Sequence, residues 1–185
     1  MANPPRHAPG GAPDGASDGA PDGAPDGACD DTLALRRALG AFATGVTIVT
    51  APARASGAPV GFTANSFTSV SLDPPLLLVC LAHTARGYRV FREAQGFAVN
   101  VLAAEQEAIA RLFAMPGADK FADTPWRPGA TGAPLIEDCL ATFDCAMHQR
   151  LTAGDHDILM GRVLGFSRRE GEALLFHGGA YQRLG

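Results

Sequence analysis

The segment Gly61-Phe-Thr-Ala-Asn-Ser-Phe-Thr-Ser-Val-Ser-Leu-Asp-Pro-Pro75, running straight into Leu76-Leu-Leu-Val-Cys-Leu-Ala82, decides how the rest of the chain is read. Its first part crowds Thr63, Asn65, Ser66, Thr68, Ser69 and Ser71 into nine residues. Its last part is apolar throughout, and two prolines stand between. Proline fixes φ and removes a donor, so Asp73-Pro74-Pro75 reads as a turn that launches a strand. An unbroken apolar run of that length predicts an interior strand covered on both faces. Polar residues tied to such a strand are expected near the core, where each unsatisfied donor costs ~1–3 kcal/mol. They read as a wall awaiting a polar ligand. By residue type alone, the same hydroxyls could equally close the turns of an ordinary loop.

Working outward, Gly45-Val-Thr-Ile-Val-Thr50 alternates as a half-buried strand does, and residues 52–59, with Ser56-Gly57, turn the chain back to Val60. Phe97-Ala-Val-Asn-Val-Leu102 and residues 141–151, 158–166 and 173–176 predict further strands, with Gly154-Asp155-His156 at a corner. Helices are expected over 32–42, capped by Asp31 or Thr32, over 84–94, capped by Thr84, and over 104–114. Residues 115–134 are rich in Gly, Pro and Asp and predict a long surface loop carrying Lys120-Phe121 and Trp126. Six or seven strands with short helices predict a mainly β, α+β barrel, not a doubly wound sheet.

The first 31 residues differ in kind. Residues 12–27 repeat Ala-(Pro/Ser)-Asp-Gly four times without one bulky apolar side chain. Such a segment buries too little to offset its ordering entropy and is expected to be a disordered acidic arm. It holds six of the 19 acids and one of the 15 bases, leaving a body over 32–185 of 13 acids and 14 bases. A near-neutral body with a single lysine, Lys120, argues against nucleic-acid binding. No apolar run approaches the ~18 residues of a membrane helix. The four cysteines, Cys29, Cys80, Cys139 and Cys145, form no C-x-x-C pair, and no export signal is recognised, so a reducing cytoplasmic setting is expected.

Dinucleotide and P-loop glycine signatures are absent. Cys145, His148 and His156 match no zinc spacing, and on a strand the first two would face opposite ways. Three features point to a ligand. The hydroxyl-rich stretch could satisfy the ring carbonyls, ring nitrogens, ribityl chain and phosphate of a flavin. A helix starting at Thr84 would aim its N–H groups at a phosphate, with Arg86 adding a guanidinium fork. His156 could orient a nicotinamide or manage a proton, although alone it reads as a surface residue. Lys120, Phe121 and Tyr181 could each lend a charge or ring, or serve packing.

Taken in order, residues 45–50, 61–75, 78–82, 97–102, Lys120-Phe121 and Gly154-Asp155-His156 resemble the flavin reductases that serve two-component flavin-dependent monooxygenases. The resemblance covers about residues 32–185. It implies an FMN-binding split β-barrel homodimer with FMN or FAD near the subunit interface. It implies flavin contacts at Thr63, Ala64, Asn65, Ser66, Ser69 and Ser71, ring contacts at Cys80, Leu81 and Ala82, and phosphate contacts at Thr84 and Arg86. Lys120 and Phe121 match a closing loop, His156 the histidine associated with NADH or NADPH, and Tyr181 matches less closely. The implied activity is NAD(P)H-dependent reduction of flavin for a partner monooxygenase. The alternative is a non-catalytic flavin-binding or redox-sensing module on the same barrel. A flavin oxidase for a phosphorylated amine would want more basic residues than Arg86 and Lys120.

Overall fold

The computed structural model describes residues 31–52, 58–117 and 119–184. The expected arm, save Asp31, and the middle of the 52–59 turn lie outside the described residues. In chain order the strands are β1 (Thr44–Gly45), β2 (Thr47–Pro52), β3 (Pro59–Ala64), β4 (Thr68–Leu72), β5 (Pro75–Ala82), β6 (Gly96–Val101), β7 (Trp126–Pro128), β8 (Pro134–Ile136), β9 (Ala141–Ala153), β10 (His156–Arg168), β11 (Leu175–His177) and β12 (Ala180–Gln182). The helices are α1 (Thr32–Gly40), α2 (Tyr88–Glu93) and α3 (Glu107–Ala114). None among the described residues is long and apolar enough to cross a membrane.

Seven strands form one antiparallel sheet in the order β3-β2-β6-β9-β10-β5-β4. Its two edge strands, β3 and β4, are consecutive in the chain and joined by Asn65, Ser66 and Phe67. Laid flat, the six strand-to-strand steps would hold the edges ~29 Å apart. The link spans at most ~14 Å. The sheet must therefore curl, as the expected barrel does. Ser66 clasps the closure: its Oγ accepts from Cys80 N at 2.9 Å and lies 3.4 Å from Cys80 O.

Inside lie Val49, Ala51, Leu77, Val79, Leu81, Phe97, Val99, Cys145 and Leu159. A second cluster joins Ala110 and Phe113 of α3 to Val46, Ile48, Leu102 and Leu174. The small sheet β1-β11-β12 adjoins it, with Val46 N donating to Leu174 O at 3.1 Å. Asp31 caps α1 as expected, its Oδ1 accepting from Leu33 N and Ala34 N. No residue of α1 is buried.

Five expectations need correcting. Residues 45–50 are not a half-buried strand, since β2 is buried from Thr47 to Ala51 and Gly45 belongs to β1. β5 alternates: Leu77, Val79 and Leu81 are buried, while Leu76, Leu78, Cys80 and Ala82 are half-exposed. It is therefore covered on one face, as antiparallel strands commonly are. The hydroxyl-rich stretch is partly a strand, β4, at a sheet edge, where Thr68 and Ser69 meet solvent. The long 115–134 loop ends in a ribbon, β7 paired with β8. Finally, the helix expected from Thr84 begins at Tyr88, with Gly87 as N-cap and no side-chain cap bond. Ala85 N bonds Ala82 O and Tyr88 N bonds Ala85 O, so successive turns take the place of its first helical residues.

Gly161 is buried on β10, where a Cβ would sit 2.6 Å from Phe97 Cζ and 2.8 Å from Cys145 Cβ. Gly161→Ala is expected to cost ~1–3 kcal/mol by overpacking, read as a lower urea midpoint. An unchanged midpoint would show that Phe97 gives way freely.

Candidate functional site

The end of β3, Asn65 and Ser66 of the link, the end of β5 and the end of α3 wall a hollow of about 360 Å³. Its lining includes Phe62, Thr63, Ala64, Asn65, Ser66, Cys80, Ala82, Ala85, Phe113, Ala114 and His156. A second hollow of about 230 Å³ is lined by Pro59, Val60, Gly61, Arg86, Gly87, Gly117, Asp119, Lys120 and Phe121. The two share strand β3 and the turn after β5, so they form successive stretches of one groove. Beyond the link, a wider hollow of about 740 Å³ lies between the α1 segment, Thr44, residues 65–68 and His156.

The structure thus gathers Thr63, Ala64, Asn65, Ser66, Cys80, Ala82 and His156 at one end and Arg86, Lys120 and Phe121 at the other. Tyr181 lines an adjoining hollow of about 170 Å³ with Phe176 and Thr63. Four expected residues are not among these linings. Ser69 and Ser71 pair with Leu77 and Leu76 along the edge strand. Leu81 faces the core at 1% exposure because the pleat turns Cys80 and Ala82 outward instead. Thr84 is exposed in a turn and caps no helix, since α2 starts only at Tyr88.

The hydroxyls are also less free than the sequence suggests. Thr63 Oγ1 donates to Ala110 O at 2.6 Å, and Ser66 Oγ is held by the Cys80 backbone. Asn65 is exposed and enters no described hydrogen bond.

At the cationic end, Lys120 Nζ donates to Phe113 O at 2.6 Å and Gly61 O at 3.3 Å, and stands 5.7 Å from the Phe113 ring centroid. Gly61 permits this, since a Cβ there would lie 2.8 Å from Phe113 Cε1. Burial, and then the Arg86 charge, push the Lys120 ammonium below its ordinary pKa. An anion seated between the two cations would relieve their repulsion.

At the other end, Gly154 (φ +61°) and Asp155 form the two-residue turn from which His156 opens β10 opposite Ala82. His156 Nδ1 lies 2.6 Å from Asp155 Oδ1. An ionised carboxylate only accepts, so Nδ1 carries the proton and Nε2 is the nitrogen left to a ligand. That hydrogen bond, followed by the imidazole's charge, lowers the Asp155 pKa. Thr44 Oγ1, in the wall of the wider hollow that His156 shares, is buried without a partner among the described residues. Cys145 faces the core while His148 is exposed, so these two do not converge on a metal.

Sequence reasoning missed Phe62, Ala85 and Phe113 as lining, and missed a buried carboxylate behind the site. Asp157, 4% exposed, accepts from His83 Nε2, Tyr88 OH and Thr152 Oγ1, each at 2.9 Å. Burial is the largest single influence and opposes its ionisation. The hydrogen bonds from His83, Thr152 and Tyr88 together outweigh it and hold the pKa below the ordinary carboxylate value. The same bond raises the Tyr88 phenol above its ordinary value. The signal for this was slight: a second acid directly after His156.

Residues 39–185 match the family described as "Flavin reductase like domain". A "Probable flavin reductase" of Rhizobium meliloti is 52% identical over 82% of this chain and 48% of its own length. The reductase component of a flavin-dependent trigonelline monooxygenase from Acinetobacter baylyi is 48% identical over 80% of this chain and 47% of its own. The chain thus spans about half the length of either curated relative. A solved Streptomyces globisporus NADH:FAD oxidoreductase, in complex with NAD and FAD fragments, superposes with a TM-score of 0.80. It is 43% identical and covers 84% of this chain and 94% of that one.

A carboxyl whose pKa is depressed on folding stabilises the fold above its unfolded value, ~3.9 for Asp, and loses that contribution as pH falls through the folded value. The stability difference between wild type and Asp157→Asn, from urea unfolding, is expected to be largest near neutrality and to shrink below about pH 4. A difference independent of pH would contradict an ionised Asp157.

Proposed function

We propose that this chain, which belongs to the flavin reductase family, is an NAD(P)H:flavin oxidoreductase that supplies reduced FMN or FAD to a separate flavin-dependent monooxygenase. The observation that carries the reading is the polarity of the groove, with His156 at one end and the Arg86–Lys120 pair at the other. A flavin nucleotide has the same polarity, a flat ring joined to an anionic tail. The fit is supported by the mutual repulsion of the two cations, which an anion relieves, and by small side chains at Ala64, Ala82 and Ala85 where a ring would lie.

In this assignment Thr63, Ala64, Asn65, Ser66, Cys80 and Ala82 border the ring. Arg86 and Lys120 neutralise the phosphate, and Phe121 closes the tail end. His156, with Nδ1–H fixed on Asp155, presents Nε2 to the carboxamide N–H of the nicotinamide. The reaction moves a hydride from NAD(P)H and a proton from solvent to the oxidised flavin, leaving NAD(P)⁺ and dihydroflavin. The protein's share is orientation and exclusion of water from between the rings, worth several kcal/mol.

Ser69, Ser71, Leu81 and Thr84 are left out of this assignment on the geometry above. Release of product suits a groove open along one side, and the trigonelline relative's name supports a monooxygenase as recipient. A homodimer is supported by exposed apolar side chains on several elements, among them Leu72 (93%) and Phe166 (76%). Free thiols at Cys80, Cys139 and Cys145 support a reducing, cytoplasmic setting.

NADH and NADPH oxidation measured with excess FMN or FAD tests the activity. No flavin-dependent turnover would leave a non-catalytic flavin-binding module. His156→Ala is expected to raise KM for the nicotinamide nucleotide about tenfold and KM for flavin much less; unchanged kinetics removes His156 from the site. Arg86→Ala is expected to weaken FMN more than riboflavin, and equal losses contradict a phosphate contact.

A further inference from the structure

We propose that Asp157 is a positioning residue whose carboxylate clamps residues 83–88 into the turn that presents Arg86 at the cationic end of the groove. This rests on the reading of the groove as a flavin site. His83 and Tyr88 flank the four turn residues, and both reach the same carboxylate, His83 Nε2 at Oδ1 and Tyr88 OH at Oδ2. The two rings stand 5.1 Å apart, centroid to centroid. The six-residue loop is thus closed at its base by one buried group from β10, which Thr152 of β9 braces from behind.

Ala85 N to Ala82 O and Tyr88 N to Ala85 O also support the turn, and Ala85 and Tyr88 pack against the core. The side-chain hydrogen bonds described for residues 83–88, however, all go to Asp157. α2 has six residues and no side-chain cap bond, too short to hold its own start in place. Its far end is tied to the same hairpin, since Arg150 donates to Phe91 O at 3.2 Å and also to Ala94 O. Main-chain help comes from His83 N on Asp155 O at 2.9 Å. The clamp's output is the guanidinium: a Cβ at Gly117 would lie 3.5 Å from Arg86 Nη1, which sets Arg86 against the loop that carries Lys120.

Asp157 also directly follows His156, so one stretch of β10 places both ends of the groove. Its carboxylate holds the phosphate end while its neighbour forms the nicotinamide end.

The test uses full-length wild type, Asp157→Asn and Tyr88→Phe, titrated with FMN and with riboflavin, together with amide hydrogen exchange of residues 83–88 in ligand-free protein. Each variant is expected to lower the FMN-to-riboflavin affinity ratio about tenfold and to speed exchange in 83–88. The double variant is expected to do no more than Asp157→Asn alone, as residues acting in one unit do. A wild-type ratio in both variants, or unaltered exchange, overturns the clamp. Wild type that binds neither flavin overturns the flavin reading instead, and the positioning role with it. Should Asp157→Asn fail to fold, Tyr88→Phe, which removes one hydroxyl and leaves the carboxylate, decides alone.

Discussion

Three residues carry the chain from one edge of a seven-stranded sheet to the other, and that short tether constrains the rest of the molecule. A flat sheet cannot satisfy it, so the strands roll until Ser66 reaches the backbone of Cys80. Rolling encloses Leu77, Val79, Phe97, Val99 and Leu159 in one interior. It also leaves β3 along the floor of a groove, with the β5–α2 turn and the end of α3 as its banks. Closure and site are one event. Two of the three tether residues, Asn65 and Ser66, also border the groove.

The clasp explains why so much hydroxyl chemistry sits in so little sequence. Thr63 holds α3 by the Ala110 carbonyl, Ser66 holds β5, and Thr47 donates to Ala64 O. These bonds stitch elements around the groove and give it a fixed shape before any ligand arrives. That economy suits an orientation-driven reaction, in which rigidity of the walls matters more than the number of donors pointing at the ligand.

Periodicity made most of the barrel legible. The apolar segments located β2, β6, β9 and β10, although the alternation of 45–50 was misread as half-buried, and the Gly-Asp turn located His156 at a corner. The apolar run of β5 was located but misread as covered on both faces, since unbroken leucines hide a pleat that only neighbouring layers decide. β4 escaped because serines and an Asp-Pro-Pro end mimic a loop, and only pairing with β5 reveals a strand. Thr84 looked like a helix cap because Ser and Thr are favoured there, yet Gly87 and the two preceding turns moved the start by four residues. Asp157 was out of reach for a different reason. Its partners His83 and Tyr88 lie 74 and 69 residues away, and no local pattern encodes a meeting at that separation.

The groove's two ends belong to different structural units. The arginine and lysine ride on a turn and a loop, while the imidazole is mounted on the tight corner of the longest hairpin. In the proposed flavin site, grip on an anionic tail and alignment of the rings are therefore partly separable, coupled through Asp157 on β10. Changes confined to the turn and loop would lengthen or shorten a nucleotide's stay without disturbing the gap electrons must cross. A scaffold divided in this way can drift between loaning its cargo and keeping it, with no redesign of the barrel.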